Sequence, residues 1–250
     1  MDYKIAIPSY KRYETIKDKT LKMLKQYNID KKRIKIFVAN KEEEKLYKES
    51  LKNEYKIVVG VLTIGAQRNF IEKYYKEGTR LMMFDDDLEQ VMVKVSDTQL
   101  VKCKDLEKEF ILKGFELCEK IGAKTFGIYA ASNAYFMKKR YYTKLSYIIA
   151  SMFGVIIEHD SFLERQTNHG EDYEYSIRQY IKNKKLLRFD YITAKSNYFR
   201  EKGGLQEIRT SEYMINHIKR IKNMFPNYCE MYFRKSTGHP ELRLVDKSKI

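Results

Sequence analysis

With 250 residues, 43% of them apolar, the chain can build a sizeable core, and no apolar run is long enough to span a bilayer. Three widely spaced cysteines (Cys103, Cys118, Cys229) argue against a disulfide scaffold or a Cys-based zinc site, and MDYKIAIPSYKR has no apolar export region; both point to the cytoplasm. The excess of 49 Lys and Arg over 34 Asp and Glu, a net +15, suits nucleic acid, nucleotide phosphates or anionic membranes, or reflects lysine filling solvated faces in an AT-rich genome; charge alone leaves both readings open.

Lys4–Ile7 reads as a short strand ended by Pro8-Ser9, followed by a helical pattern through Ile16, Leu21, Leu24 and Tyr27. Ile34–Ala39 is a second strand, Lys41–Leu51 a charged helix, Ile57–Leu62 a third strand and Gln67–Tyr75 a helix after Gly65. Leu81–Phe84 is a fourth strand running into three aspartates. Strands alternating with helices over these intervals predict βαβ units and a mostly parallel sheet. The second half is less regular. Leu106–Ile121 has helical spacing, Thr125–Ala131 reads as a strand, and Leu145–Phe153 is apolar with no clear period before a strand at Gly154–Ile157. An amphipathic helix with Tyr173, Ile177, Tyr180 and Ile181 follows Gly170, then a strand at Leu187–Ile192, a turn or close backbone approach at Gly203-Gly204 and a last helix over Ser211–Met224. No linker or repeat interrupts the chain, so one continuous α/β domain is expected.

Four short segments could carry chemistry. Asp85-Asp86-Asp87 stands at a strand's carboxyl end, where open α/β sheets bind ligands; adjacent carboxylates repel, and their hard oxygens suit Mg²⁺ or Mn²⁺ bridging phosphates. An acidic turn is the plain alternative. Arg68, in Gly65-Ala66-Gln67-Arg68-Asn69-Phe70, sits where a helix start and a guanidinium make an anion site, unless it is a surface arginine. In Ile7-Pro8-Ser9-Tyr10-Lys11-Arg12, Tyr10 offers a stacking face and Arg12 a charge, against the reading of a mere strand exit. In His169-Gly170-Glu171-Asp172 the acids complement a helix dipole, or one of them serves as general base.

In this order, IAIPSYKR, KIFVANKEE, VVGV, GAQRNF, MMFDDD, GEDYEYSIR and the Gly-Gly-Leu of KGGLQ resemble a glycosyltransferase of the GT-A fold, closest to the TET-associated glycosyltransferases, over roughly the first 205 positions. The resemblance implies a GT-A-like (Rossmann-like), mostly parallel central sheet flanked by helices, in a single domain with a helical C-terminal extension. Residues 1–100 would bind the nucleotide-sugar, 101–205 the acceptor, and 206–250 form a helix and tail. It places Pro8, Ser9, Tyr10 and Arg12 at the nucleotide base and ribose, and Gln67, Arg68 and Asn69 along the nucleotide-sugar cleft. Asp85 and Asp86 would also bind the nucleotide-sugar, with Asp87 the main metal ligand assisted by Asp85. Asp172 would be the catalytic base, with Glu171 second to it. The metal-binding histidine of many GT-A enzymes is missing from KSNYFREKGG; His239, in a loop, is favoured over His217, and the metal assignment rests on the aspartates.

The implied reaction is transfer from a nucleotide-sugar, a UDP-sugar by expectation, to a hydroxymethylated pyrimidine in DNA, with Mn²⁺ or Mg²⁺ and inversion. Lys138, Lys139, Arg140, Tyr141, Tyr142 and Lys144 interleave cations with aromatics, as DNA contact needs, although an ordinary basic loop looks the same. A GT-A enzyme acting on a glycan, lipid carrier or protein is the alternative. A non-enzymatic nucleic-acid binder would gain nothing from acidic clusters near phosphate, and a nuclease or nucleotidyltransferase fits the Ser-Tyr and Gln-Arg-Asn segments less well. Sugar, nucleotide and oligomeric state are not legible.

Overall fold

The computed structural model describes residues 1–196, 210–235 and 237–248. Its first half alternates strand and helix: β1 (Lys4–Pro8), a helical stretch α1 (Tyr13–Ile16, a π-helical segment Lys17–Leu21, and Lys22–Gln26), β2 (Ile34–Val38), α2 (Lys41–Ser50), β3 (Lys56–Val59), α3 (Ile64–Tyr74) and β4 (Arg80–Phe84). β5 (Leu88–Lys94) and β6 (Leu100–Lys102) follow, then helix α4 (π-helical Glu107–Leu112, then Lys113–Ile121), β7 (Thr125–Ile128), β8 (Tyr141–Tyr142) and β9 (Met152–Ile156). The chain continues through α5 (Glu171–Asn183), β10 (Leu187–Phe189), β11 (Ile192–Ser196), α6 (Ser211–Met224) and a hairpin of β12 (Cys229–Phe233) and β13 (Pro240–Leu244).

Eight strands form the main sheet in the order β3-β2-β1-β4-β9-β7-β10-β8. β1 pairs in parallel with β2 and β4, β2 with β3, and β7 with β10. β9 runs antiparallel between β4 and β7, and β8 antiparallel to β10. The first strands read as near-continuous apolar runs because helices cover both faces. Ile5, Ile7, Ile36, Val38, Met82 and Phe84 point into one core layer, while Ala6, Phe37, Leu81 and Met83 point into the other. β9 reverses the chain without reversing the sheet edge: β7 and β10 end on the same edge as β1 and β4. Open α/β sheets bind ligands at such an edge.

Several elements differ from expectation. β5 pairs with β6 on one side and β11 on the other in a separate three-stranded sheet, although Leu88–Lys102 reads as no strand in sequence. Leu187–Ile192 divides into β10 and β11 because Asp190 and Tyr191 turn the chain from one sheet to the other. The tail adds the β12–β13 hairpin to its helix. Gly203-Gly204 and most of KSNYFREKGG lie outside the described residues.

Candidate active site

The acidic turn after β4 is fixed from several sides. Thr20 Oγ1 donates to the Asp85 carbonyl at 2.7 Å and accepts from the Leu88 amide at 2.9 Å, and the Asp85 amide donates to the Ser151 carbonyl at 2.8 Å. Within the turn the three aspartates have different surroundings. Asp86 accepts Ser9 Oγ at 2.5 Å on one oxygen and Arg12 Nη1 at 3.0 Å on the other. Ser9 Oγ shares a 2.6 Å hydrogen bond with Tyr47 OH, which accepts the Arg12 amide at 3.0 Å. Asp86 therefore fastens the Pro8–Arg12 exit of β1 to the acidic turn, and both its oxygens are occupied by protein. Pro8 closes β1, while Tyr10 is half-buried with Lys11 Nζ 5.3 Å from its ring centroid.

Asp85 and Asp87 flank this fastener. Asp85 Oδ1 accepts Arg68 Nη2 at 2.7 Å, and Asp87 Oδ2 stands 3.5 Å from Arg12 Nη1. Burial lifts the Asp85 carboxyl to about 6 against the opposing pull of Arg68, and burial beside Asp86 lifts Asp87 to about 6. Arg68 is 2% exposed, and its Nε and Nη1 make no hydrogen bond; Nη1 lies 3.7 Å from Glu171 Oε1. Buried guanidinium donors without acceptors are costly and call for an explanation, and an anion position is one that suits a guanidinium fork. The neighbours of Arg68 have structural duties instead. Gln67 Oε1 accepts the Val61 amide at 2.9 Å, and Asn69 clamps the Arg165 backbone in both directions.

The start of α5 closes the site. Gly170 takes φ +71° as its N-cap, and Glu174, fully buried, accepts the Gln166 and Thr167 amides, Thr167 Oγ1 and Arg178 Nε, which holds the preceding loop. Gly65 meets this loop so closely that an added Cβ would stand 2.3 Å from the Thr167 carbonyl oxygen. Glu171, buried and next to Asp172, is lifted to about 7. Asp172 is half-buried and accepts Tyr147 OH at 2.5 Å, with Tyr147 stacked on Tyr173 at 4.2 Å. Asp172 also acts electrostatically on Asp85, so the two acids share one site. Tyr47, Thr20, Tyr147 and the Glu174–Arg178 pair escape the sequence reading. Glu174 and Arg178 are four apart on α5, a helical pairing that could have signalled their role.

Of the proposed acceptor residues, Lys138, Lys139, Arg140, Tyr141 and Lys144 are exposed and Tyr142 is half-buried. Arg140 Nε donates to buried Asp190 at 2.9 Å, Tyr141 packs edge-on against Phe189, and Tyr142 lies between the guanidinium groups of Arg140 and Arg188. His217 stands on α6 and accepts the Asn168 amide at 3.4 Å, while His239 lies in the β12–β13 loop with its carbonyl accepting the Arg234 amide. Among the described residues, no three His, Cys, Asp or Glu side chains gather as a ready-made metal cage. Asp85 and Asp87 nonetheless fit a divalent cation. They are hard oxygen donors that burial makes reluctant to ionise alone, and Mg²⁺-type sites commonly take one or two carboxylates plus substrate phosphates.

The fold has clear relatives. TarS of S. aureus (residues 1–349) superposes with a TM-score of 0.53 at 13% identity, covering 91% of this chain and 66% of that one. Glucosyl-3-phosphoglycerate synthase of Mycobacterium tuberculosis, solved with Mn²⁺, UDP and glucosyl-3-phosphoglycerate, gives 0.51 at 7% identity, with 98% and 87% covered. GalNAc-T7, solved with UDP, GalNAc and Mn²⁺, gives 0.54 at 11% identity, with 90% and 50% covered. These are GT-A glycosyltransferases, and the present chain has their fold. A comparison with curated proteins finds no significant sequence match. The profile of the TET-associated glycosyltransferases matches residues 3–204, and the chain belongs to that family. It is a glycosyltransferase.

Proposed function

We propose that the protein transfers a sugar from a nucleotide-sugar, a UDP-sugar in the first instance, to the hydroxyl of a 5-hydroxymethylpyrimidine in DNA, with divalent-metal dependence and inversion at the anomeric carbon. The observation that carries the reading is the pairing of Arg68, buried with donors lacking acceptors, with carboxyls lifted by burial on either side of it. Such a site has places for both an anion and a cation, as a metal-bound diphosphate requires. Residues 1–100 bind the donor and 101–205 the acceptor, within one domain. The two relatives solved with Mn²⁺ and UDP support the donor class.

Pro8, Ser9, Tyr10 and Arg12 line the base and ribose end, and Arg68 faces the diphosphate. Asp87 and Asp85 would hold Mn²⁺ or Mg²⁺, which when bound supplies Lewis-acid neutralisation of the departing diphosphate. Asp172 takes the proton of the acceptor hydroxyl as its oxygen bonds to the anomeric carbon, and the electron pair of the breaking bond leaves with the diphosphate. Asp172 suits this role better than Glu171 because it is half-buried and open to an acceptor, whereas Glu171 is enclosed beside Arg68. Tyr147 orients the Asp172 carboxylate through its hydroxyl.

Nucleoside mass spectrometry tests the reading. Protein, Mn²⁺ and a panel of UDP- and GDP-sugars are incubated with duplexes containing hydroxymethylcytosine, hydroxymethyluracil or unmodified bases. A hexose or pentose mass gain on one modified base is expected. Donor cleavage with no gain on any DNA would move the acceptor to a glycan, lipid carrier or protein.

A further inference from the structure

Tyr135 is 74% and Phe136 59% exposed, the two most exposed aromatic residues among those described. Single exposed apolar residues need no explanation, but these two are adjacent and held in place. Their rings meet edge to face at 5.2 Å. On either side Ala134 and Met137 are buried, so the turn is anchored at both ends while its tip projects. Asn133 Oδ1 accepts the Tyr135 amide at 3.0 Å, and the Asn133 and Ala134 carbonyls accept the Phe136 and Met137 amides at 3.2 Å each. Lys94, buried at the end of β5, donates from Nζ to the Met137 carbonyl at 2.6 Å and pairs with Asp97. A buried ammonium that fixes one carbonyl is a costly way to hold an ordinary loop.

The loop leaves β7 on the sheet edge that carries the acidic turn, with only β9 between β7 and β4. At about 4.8 Å per strand, the exit of β7 lies roughly 10 Å across from that of β4. Lys94 stands about 20 Å along β5 from the turn, or roughly six base steps of a nucleic acid. Only a long ligand reaches both. The surroundings are cationic: Lys138 and Lys139 follow the tip directly, and Asp190, the buried carboxylate beneath, is outnumbered by Arg140 and Arg188. Membrane-seated segments use a broad apolar face, and two rings on a turn do not make one.

We infer that Tyr135 and Phe136 form a stacking platform for bases flanking the target nucleotide, with Lys138 and Lys139 on the adjoining phosphates. This rests on the DNA acceptor proposed above. Base–aromatic stacking in single-strand binders has the required strength and tolerates any sequence.

The test uses fluorescence anisotropy of an oligonucleotide bearing one hydroxymethylpyrimidine, single-stranded and duplex, over a range of salt. Wild type is compared with Tyr135→Ala/Phe136→Ala and with the aromatic exchange Tyr135→Phe/Phe136→Tyr, all checked for an unchanged melting temperature. The alanine pair should lose roughly tenfold affinity per ring, with the slope of affinity against salt unaltered because no cation is removed, and the exchange should restore binding. Undiminished DNA affinity in the alanine pair overturns the inference. So does a loss confined to vesicles of phosphatidylcholine and phosphatidylserine in equal parts, which would make the tip a membrane contact. If wild type binds DNA through these rings yet transfers no sugar to it, the proposed acceptor fails while the platform stands.

Discussion

Asp85 and Asp87, lifted to about 6, and Glu171, lifted to about 7, protonate in the fold at a pH where the unfolded chain keeps them ionised. The folded protein therefore binds more protons between about pH 4 and 7, so their stabilising contribution is complete below about pH 4 and lost as pH rises through 6 to 7. A divalent cation competes with those protons. The rise in melting temperature produced by Mn²⁺ should be small at about pH 5 and large at about pH 8; an equal rise at both would remove Asp85 and Asp87 from the metal site. Asp172→Asn should lower transfer by roughly 10²- to 10⁴-fold with donor affinity kept, as measured by turnover and by UDP-sugar titration, and near-normal turnover would dismiss Asp172 as base. Arg68→Ala should cost about 100-fold in kcat/KM if, as proposed, its buried donors face the leaving group. The motifs bearing these residues were legible because adjacent carboxylates after an apolar strand are conspicuous in sequence. The differing environments of Asp85, Asp86 and Asp87 were not, because the partners of Asp86, Ser9 and Arg12, lie more than seventy positions away.

Phe126 on β7 is gripped between two glycines: an added Cβ at Gly154 of β9 or Gly114 of α4 would come within 2.2 Å of its ring. Gly154→Ala should destabilise the fold by about 1–3 kcal/mol through overpacking, read as a lower denaturation midpoint with an unchanged slope. The change would act where the antiparallel strand joins the two halves of the sheet. The first four strands and their helices were readable because burial on both faces writes an apolar run for each strand. β5, β6 and the hairpin were not. Charged and polar residues (Glu89, Gln90, Lys94) break the apolar pattern of β5, and its pairing with β11 joins segments about a hundred positions apart, which local periodicity does not register. Leu145–Ala150 had no clear period because it is irregular chain entering β9, buried for its contacts around Tyr147 and Ile148.

For the whole molecule, the +15 charge would favour encounter with the polyanionic acceptor proposed above. If Lys138, Lys139 and Lys144 each neutralise a phosphate, their triple replacement by alanine should flatten the dependence of log affinity on log salt by about 2 to 3 on duplex DNA, and an unaltered slope would assign those lysines to solvent. Tyr142, conspicuous in sequence, is half-buried beside Arg140 and Arg188, and Tyr141 stays exposed while resting edge-on against Phe189; the rings that project furthest lie a few residues earlier, between the buried Ala134 and Met137. β5 begins directly after the acidic turn and ends at Lys94, whose ammonium holds the Met137 carbonyl. One seven-residue strand is thus a strut with the donor chemistry at its foot and the aromatic tip at its head. If the strand carries stiffness from foot to head, Mn²⁺ with a UDP-sugar should slow amide hydrogen exchange from Asn133 to Met137 without touching that segment, and unchanged exchange there would show that it does not. The enzyme would then present a firmer face to the proposed acceptor once the sugar is already loaded, and the order of binding would be written into a single strand.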